Sequence, residues 1–320
     1  MIAFGPVPSR RLGHSLGVNN IPVKVCSYAC VYCQIGRTLR MQIRRESFYP
    51  VERVVEEVSV HLHHVQSQGE KVDYIAFVPD GEPTLDINLG REIAALKPLG
   101  VPIAVITNAS LIYLPDVQED LAQADWVSLK VDAATEPTWH RVDRPQRILP
   151  WERILEGMLS FARHYAGVIT TETMLVAGLN DTEDEVQGIA AFLAHLSPHK
   201  AYIAVPTRPP AEPWVRPASE QAITMAYHHF VQALGEDRVD YLIGYEGNAF
   251  ASSGDVEQDL LSITAVHPMR AEAVRDLLER NGASWDVVER MIREGKLIRL
   301  EYAGHTFYMR ALPTRRRFSG

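Results

Sequence analysis

The sequence predicts an α/β protein built on a parallel sheet, open or closed into a barrel, followed by a small helix-and-hairpin unit. Three observations carry this expectation. Short continuous apolar runs recur along residues 15–245, as strands buried on both faces require. Amphipathic stretches of helical period separate them, so the order reads βαβα. Past residue 255 the order changes to helix, turn, helix and hairpin.

The apolar runs are residues 74–78 (YIAFV), 103–106 (IAVI), 126–131 (WVSLKV), 168–171 (VITT), 201–205 (AYIAV) and 241–243 (YLI). The first helix is expected at residues 51–66, with Val51, Val54, Val58 and Leu62 on one stripe. Residues 150–165 follow Pro150, a residue suited to a first turn, and align Ile154, Met158 and Phe161. Residues 182–196 place Val186, Ile189, Phe192 and Leu193 inward, with Asp181 as the expected N-cap. Residues 218–234 form another helix. In sheets of this kind, chemistry sits in the loops beyond the strands' C-terminal ends.

These features divide the chain into a barrel at residues 1–245, a Gly/Ser-rich linker at 246–255, a winged-helix-like unit at 256–312 and a basic, mobile tail at 313–320. In the third of these, Ala273, Val274, Leu277 and Leu278 make an apolar stripe, and Asn281-Gly282 stops its helix. Ser284 is a cap for a second helix ending at Glu294. Residues 296–302 and 306–310 pair across Ala303-Gly304.

The 320 residues include 32 basic and 40 acidic side chains, a net charge of −8. That balance disfavours a chain whose main partner is a nucleic-acid backbone. No apolar run approaches the roughly 18 residues of a membrane helix, and no charged segment precedes an apolar one at the N-terminus. A cytoplasmic protein without a membrane partner is expected.

The 3 cysteines, Cys26, Cys30 and Cys33, fall within one short segment. A disulfide framework needs an even, dispersed set. Three thiolates this close can wrap one inorganic centre, leaving one position of a four-site centre open. A zinc site completed by His14, His61, His63 or His64 is one alternative; three inert cysteines are another. A [4Fe–4S] cluster with one exchangeable iron is the third.

The spacing Cys26-x3-Cys30-x-Tyr32-Cys33 resembles the CxxxCxΦC loop of the radical S-adenosylmethionine (SAM) superfamily, aromatic position included. Residues 80–84 (DGEPT) resemble that family's GGEP segment, and residues 107–110 (TNAS) its TNG segment. Residues 4–34, 126–133 (WVSLKVDA) and 142–145 (VDRP) are similar to radical SAM proteins grouped with wyosine synthases. The resemblance spans about residues 1–245 and implies a partial (β/α)6 barrel. No cysteines remain for a second cluster, for a SPASM-type auxiliary cluster or for the methyl-carrying cysteine of RNA-methylating relatives. No cobalamin-binding domain is expected ahead of the barrel.

The resemblance implies the following roles. Cys26, Cys30 and Cys33 hold three irons of a [4Fe–4S] cluster, and SAM chelates the fourth. Reductive cleavage of SAM gives a 5′-deoxyadenosyl radical that abstracts a substrate hydrogen. The electron comes from a donor such as flavodoxin or ferredoxin. Tyr32 covers the cluster or is a packed core aromatic. Glu82 holds the SAM ammonium, Gly81 permits close backbone approach, and Pro83 completes that loop. Thr107 and Asn108 bond ribose or carboxylate, and Val205 lies along the cofactor.

Residues 128, 130 and 132 share one strand face. If that face is interior, Lys130 is a catalytic or cofactor-binding charge beside Ser128; otherwise it pairs with Asp132. Glu172 and Thr173 face opposite ways, and Thr173 is expected inward. Arg10 and Arg11, and Arg208, Trp214 and Arg216 of the proline-rich residues 206–217, are candidate substrate contacts or solvated surface.

The substrate is a small molecule such as a modified nucleobase, an RNA, or a peptide. A peptide or protein substrate would dock on the C-terminal unit. From a different class, a zinc-dependent nucleic-acid-binding protein would use the Cys loop and the winged helix. The mixed charges of Asp286, Glu289, Arg290, Arg293 and Glu294 make that helix a poor phosphate-facing surface. The basic triplet at Arg315, Arg316 and Arg317 pulls the other way.

Overall fold

A computed structural model describes residues 2–244, 250 and 254–311. Its main sheet has eight strands in a curled half-barrel. They are β1 (Ala3–Ser9), β2 (Gly13–Val18), β5 (Tyr74–Phe77), β6 (Ile103–Thr107), β7 (Trp126–Lys130), β8 (Val168–Met174), β9 (Lys200–Ala204) and β10 (Val239–Leu242), side by side in that order. Two short strands, β3 (Val25–Cys26) and β4 (Arg40–Met41), pair with each other outside it. All neighbours in the main sheet are parallel except β1, which returns antiparallel along β2.

The helices are α1 (Val51–Ser67), α2 (Leu89–Leu96), α3 (Pro115–Leu121), α4 (Glu136–Val142), α5 (Trp151–His164), α6 (Glu183–Leu196) and α7 (Glu220–Leu234). They follow the strands as crossover connections. The six expected strands are all present and adjacent, so the α/β reading and its six-strand parallel core hold. Their apolar sequences follow from burial on both faces: Ile75, Phe77, Ile103, Val105, Val127 and Leu129 are fully enclosed.

The expected helical stripes are also buried, with Phe192 only half-buried. The N-cap of α6 is Thr182 rather than Asp181. Asp181 instead accepts from the Gly178 N–H at 2.8 Å, because its side chain closes the preceding turn. Ser284 does not cap α10 (Asp286–Arg293); its hydroxyl meets the Asp286 carboxylate at 2.9 Å.

The hairpin β1–β2 was not among the expected strands. Gly5, Pro6 and Pro8 break the apolar run of β1, and proline is tolerated there because β1 is an edge strand. Gly17 is required opposite it: a Cβ would lie 2.0 Å from the Phe4 ring.

Beyond the barrel come α8 (Val256–Val266), β11 (Met269–Arg270), α9 (Ala271–Arg280), α10, β12 (Leu297–Tyr302) and β13 (His305–Arg310). The strands form a three-stranded sheet ordered β11-β13-β12. The expected linker at 246–255 lies outside the described residues except at 250, 254 and 255, and the basic tail at 313–320 lies outside them. Phe250, within that segment, is fully buried in the core of the C-terminal unit. Phe4 and Val7 of β1 enter the same core, so the two units share side chains. Among the described residues no helix is long and apolar enough to cross a membrane.

Glu92 of α2 is fully buried against Asn20, whose amide donates to it at 3.4 Å. Burial, with the nearby Asp86 charge adding, pushes its carboxyl up to about 8. The folded chain therefore holds a proton that the unfolded chain releases above its ordinary value. Stability is expected to fall as pH rises from the ordinary glutamate range towards 8. Glu92→Gln should flatten that slope and stabilise the protein at pH 8 by at most about 5 kcal/mol. Urea melts of both proteins across this range are the check; parallel slopes would contradict it.

Candidate active site

The cysteine loop is held open from three sides. β3 and β4 pair at its base, joining Val25 to Arg40 and Cys26 to Met41. The Val31 N–H reaches the Val142 carbonyl at 2.9 Å, tying the loop to the end of α4. Gly81 sits directly under it, where a Cβ would lie 1.8 Å from the Val25 carbonyl oxygen. Cys26, Cys30 and Cys33 are all half-buried and line one cavity of about 280 Å3 at the C-terminal ends of the parallel strands.

Burial pushes the Cys26 thiol up to about 12, and Cys30 also stands well above its ordinary value. Such sulfurs become thiolates when a cationic centre replaces their protons. Three soft donors on one wall fit a multi-iron cluster, in which each sulfur takes a different iron. Among the described residues no three His, Cys, Asp or Glu side chains converge on a single metal ion. His14 instead lies 3.6 Å from Asp73, His61 meets the Gly5 carbonyl at 2.7 Å, and His63 meets the Ser59 carbonyl at 2.7 Å. Neither these histidines nor His64 line the cavity.

Glu82 lies just past β5 and organises the opposite wall. Its Oε1 accepts from Thr107 Oγ1 at 2.5 Å, Thr84 Oγ1 at 2.6 Å and the Thr84 N–H at 3.1 Å. Its Oε2 accepts from the Asn108 N–H at 2.7 Å. Burial raises its carboxyl, and these bonds pull it back. Oε1 is saturated; Oε2 keeps a lone pair. The Asn108 amide turns to the cysteine loop, donating to Ser27 Oγ at 2.9 Å and to Cys26 Sγ at 3.6 Å.

Charged groups cover the far wall. Parallel pairing of β7 and β8 sets Lys130 beside Glu172. The Lys130 ammonium donates to Glu172 Oε1, and Arg11 donates to Oε2 at 2.6 Å. Burial opposes the charge of Glu172, but these two cations hold its carboxyl down at about 2. Lys130 also stands 5.2 Å from the centre of the Tyr32 ring. The Tyr32 hydroxyl donates to Asp132 and lies 3.2 Å from Asp143. Tyr32 is thus both buried and on the cavity wall.

The expectation for Thr173 is corrected. Strand alternation turns Glu172 and Met174 into the cavity, while Thr173 is fully buried behind them with its hydroxyl on the Val131 carbonyl at 2.7 Å. The Lys130–Asp132 pairing is replaced by Lys130–Glu172. Ser128 lies behind that pair, 3.5 Å from Arg11, and Pro83 is buried in the turn after Glu82. Val205, Thr107, Asn108, Gly81, Arg11 and Arg208 do reach the cavity.

Arg10, Trp214 and Arg216 do not reach it. Arg10 is exposed, 3.5 Å from the Tyr241 carbonyl. Trp214 is 49% exposed, and Arg216 is engaged by the Pro213 and Val215 carbonyls at 2.6 and 2.9 Å. Stiff prolines hold that part of the loop along a second cavity, of about 570 Å3, against the β12–β13 hairpin.

Three participants were not anticipated from the residues: Lys24, Asp80 and Gln34. In the sequence Asp80 stands only as the first residue of the GGEP-like segment and Lys24 only within residues 4–34, neither with a role of its own. Gln34 links the cysteine loop to the C-terminal unit, donating to the Val266 carbonyl at 3.0 Å. Arg208 donates to Gln34 at 2.9 Å and reaches His267 at 3.0 Å, and the Tyr302 hydroxyl donates to the Pro206 carbonyl at 3.0 Å. The C-terminal unit therefore packs against the cavity rim at Gln34, Pro206 and Arg208.

Glu172→Gln removes the charge between Lys130 and Arg11 and is expected to cost roughly 3 kcal/mol. Because its carboxyl is held at about 2, the stability it supplies is present above the ordinary glutamate value and lost as pH falls towards 2. Denaturation at pH 7 and pH 3 should show the variant's deficit shrinking with acid. An equal deficit at both would remove the ion-pair account.

A family model described as the Radical SAM superfamily matches residues 20–193. Over 314 residues the chain is 46% identical to a UPF0026 protein of Methanocaldococcus jannaschii, covering 98% of this chain and 97% of that one. Among solved structures, TYW1 with a lysine–pyruvate adduct bound superposes with a TM-score of 0.52 at 18% identity, over 69% of this chain and 74% of that chain. SuiB of Streptococcus suis bound to its precursor peptide gives 0.52 at 11% identity, over 70% and 48%. At these identities the two structures are similar in fold alone.

Proposed function

The chain belongs to the radical SAM superfamily, and on that premise we propose that it is an enzyme holding a single [4Fe–4S] cluster and cleaving SAM reductively. One observation carries the reading: Cys26, Cys30 and Cys33 share a cavity with Glu82, Asn108 and the Lys130–Glu172–Arg11 group at the strand ends. When bound, the cluster, with an electron from a low-potential donor such as flavodoxin or ferredoxin, would supply the one-electron reduction that cleaves the SAM C–S bond for abstraction of a substrate hydrogen.

The residues of this chain bind and orient. The three cysteines hold the cluster. The free lone pair of Glu82 Oε2 accepts from the SAM ammonium, while Thr84, Thr107 and Asn108 fix the carboxylate for that contact. Asn108 braces the cysteine loop. Val205 and Tyr32 shield the site from water. The far wall brings Lys130, Arg11 and Arg208 to the cavity beside Glu172, with the Asp132 and Asp143 carboxylates behind Tyr32. It suits a carboxylate or phosphate, either that of SAM or that of the substrate.

The substrate is read as a small molecule such as a modified nucleobase or another small heteroaromatic. The C-terminal unit is read as a winged-helix module that packs against the cavity rim. Arg290 pairs with Glu257, which leaves its helix poorly suited to phosphates. The zinc-binding reading loses its fourth ligand, since the histidines point elsewhere.

The test is anaerobic reconstitution with iron and sulfide, then incubation with dithionite and SAM. Formation of 5′-deoxyadenosine that requires both supports the reading. A fully iron-loaded protein forming none, or a protein holding one equivalent of zinc instead, overturns it.

A further inference from the structure

We propose that Lys24 tunes the reduction potential of the cluster by donating a hydrogen bond to the Cys33 sulfur. The inference rests on the cluster reading above. Lys24 opens the cysteine loop and is 2% exposed. Its Nζ lies 3.2 Å from Cys33 Sγ, the one hydrogen bond of that ammonium among the described residues.

The position is built rather than incidental. The Lys24 N–H donates to the Asp80 carbonyl at 3.0 Å, and its own carbonyl accepts from Leu39 and Arg40, both at 3.1 Å. Its backbone is left-handed, with φ 59°, which a lysine adopts only when its surroundings impose it. Both ends of the residue are therefore clamped, and the side chain runs inward along the cavity wall.

A buried ammonium is costly unless negative charge meets it. Lys130 meets a carboxylate, Glu172. Lys24 meets a sulfur that the cluster would make anionic, and the other two cysteines line the same cavity. Reduction adds one negative charge to a centre already surrounded by thiolates. A fixed cation in contact with one of those sulfurs stabilises the reduced form more than the oxidised form, and so raises the potential. Lys24 touches a ligand sulfur rather than substrate, so it is a positioning residue.

The experiment compares wild type, Lys24→Met and Lys24→Arg, each reconstituted to equal iron content. Each is titrated with dithionite in the presence of mediators and read by electron paramagnetic resonance. Lys24→Met should lower the reduction equilibrium constant at least tenfold, a shift of about 59 mV to more negative potential for one electron. Lys24→Arg, which keeps the charge, should shift less. An unchanged midpoint in Lys24→Met overturns the proposal.

If Lys24→Met takes up no iron, the wild-type holoenzyme decides. Protein grown on lysine labelled with 15N at the side-chain nitrogen should show a 15N coupling to the reduced cluster in pulsed spectra. No coupling overturns the proposal. A wild-type protein that assembles no cluster removes the underlying reading instead, so the two failures are distinguishable.

Discussion

Replacing any one of Cys26, Cys30 or Cys33 by alanine is expected to abolish reductive SAM cleavage while the barrel stays folded. The three cysteines are half-buried in β3 and the loop after it, outside the main sheet, where Cys26 and Cys30 touch only the edge of the core, so their loss removes little packing. No other cysteine is present to substitute. Two thiolates hold a cluster poorly, and the open iron that would chelate SAM goes with it. The measurements are iron content, 5′-deoxyadenosine yield and far-ultraviolet circular dichroism. Alanine variants that keep wild-type iron and still form 5′-deoxyadenosine would take that cysteine out of the account.

Gly81→Ala should be nearly as damaging, for a steric reason. The added Cβ would stand 1.8 Å from the Val25 carbonyl oxygen, a backbone atom that no rotamer change can move. Val25 precedes Cys26, and its carbonyl accepts from the Glu82 N–H at 3.3 Å. One methyl group would therefore push the cysteine loop away from the loop that carries Glu82. The strain amounts to roughly 3 kcal/mol, the upper range for overpacking. The expected readouts are weak iron uptake and SAM affinity below detection, with a modest fall in thermal midpoint. Normal SAM affinity in Gly81→Ala would show that the two loops do not have to meet.

How much of this was legible in the sequence depended on which physical signal each element carries. The six parallel strands were visible because burial on both faces leaves a continuous apolar run. Helices α1 and α5 were visible because one buried face leaves a stripe. Helix α8 was not: residues 259–266 are buried almost all round, so no stripe survives. The β1–β2 hairpin hid behind its prolines and glycines.

At the site, the cysteine spacing and the segment at 80–84 were legible because ligands from one loop sit at fixed sequence intervals. Contacts between distant segments were not. Arg11 meets Glu172, and Gln34 meets Val266, across more than a hundred residues of chain in each case. Alternation correctly separated Glu172 from Thr173, but it could not say which face was interior. The charge of Glu172 is tolerated inside only because Lys130 arrives from the neighbouring strand β7 and Arg11 from the β1–β2 turn. Lys24 was missed for the same reason: its function depends on how the loop folds back onto Cys33.

The central claim is that the iron left without a cysteine is where SAM binds. The most direct measurement is the electron paramagnetic resonance spectrum of the dithionite-reduced wild-type protein, recorded before and after SAM is added. The account predicts a signal from one reduced [4Fe–4S] cluster whose g-values change on SAM addition. A cluster signal that is identical with and without saturating SAM would contradict it.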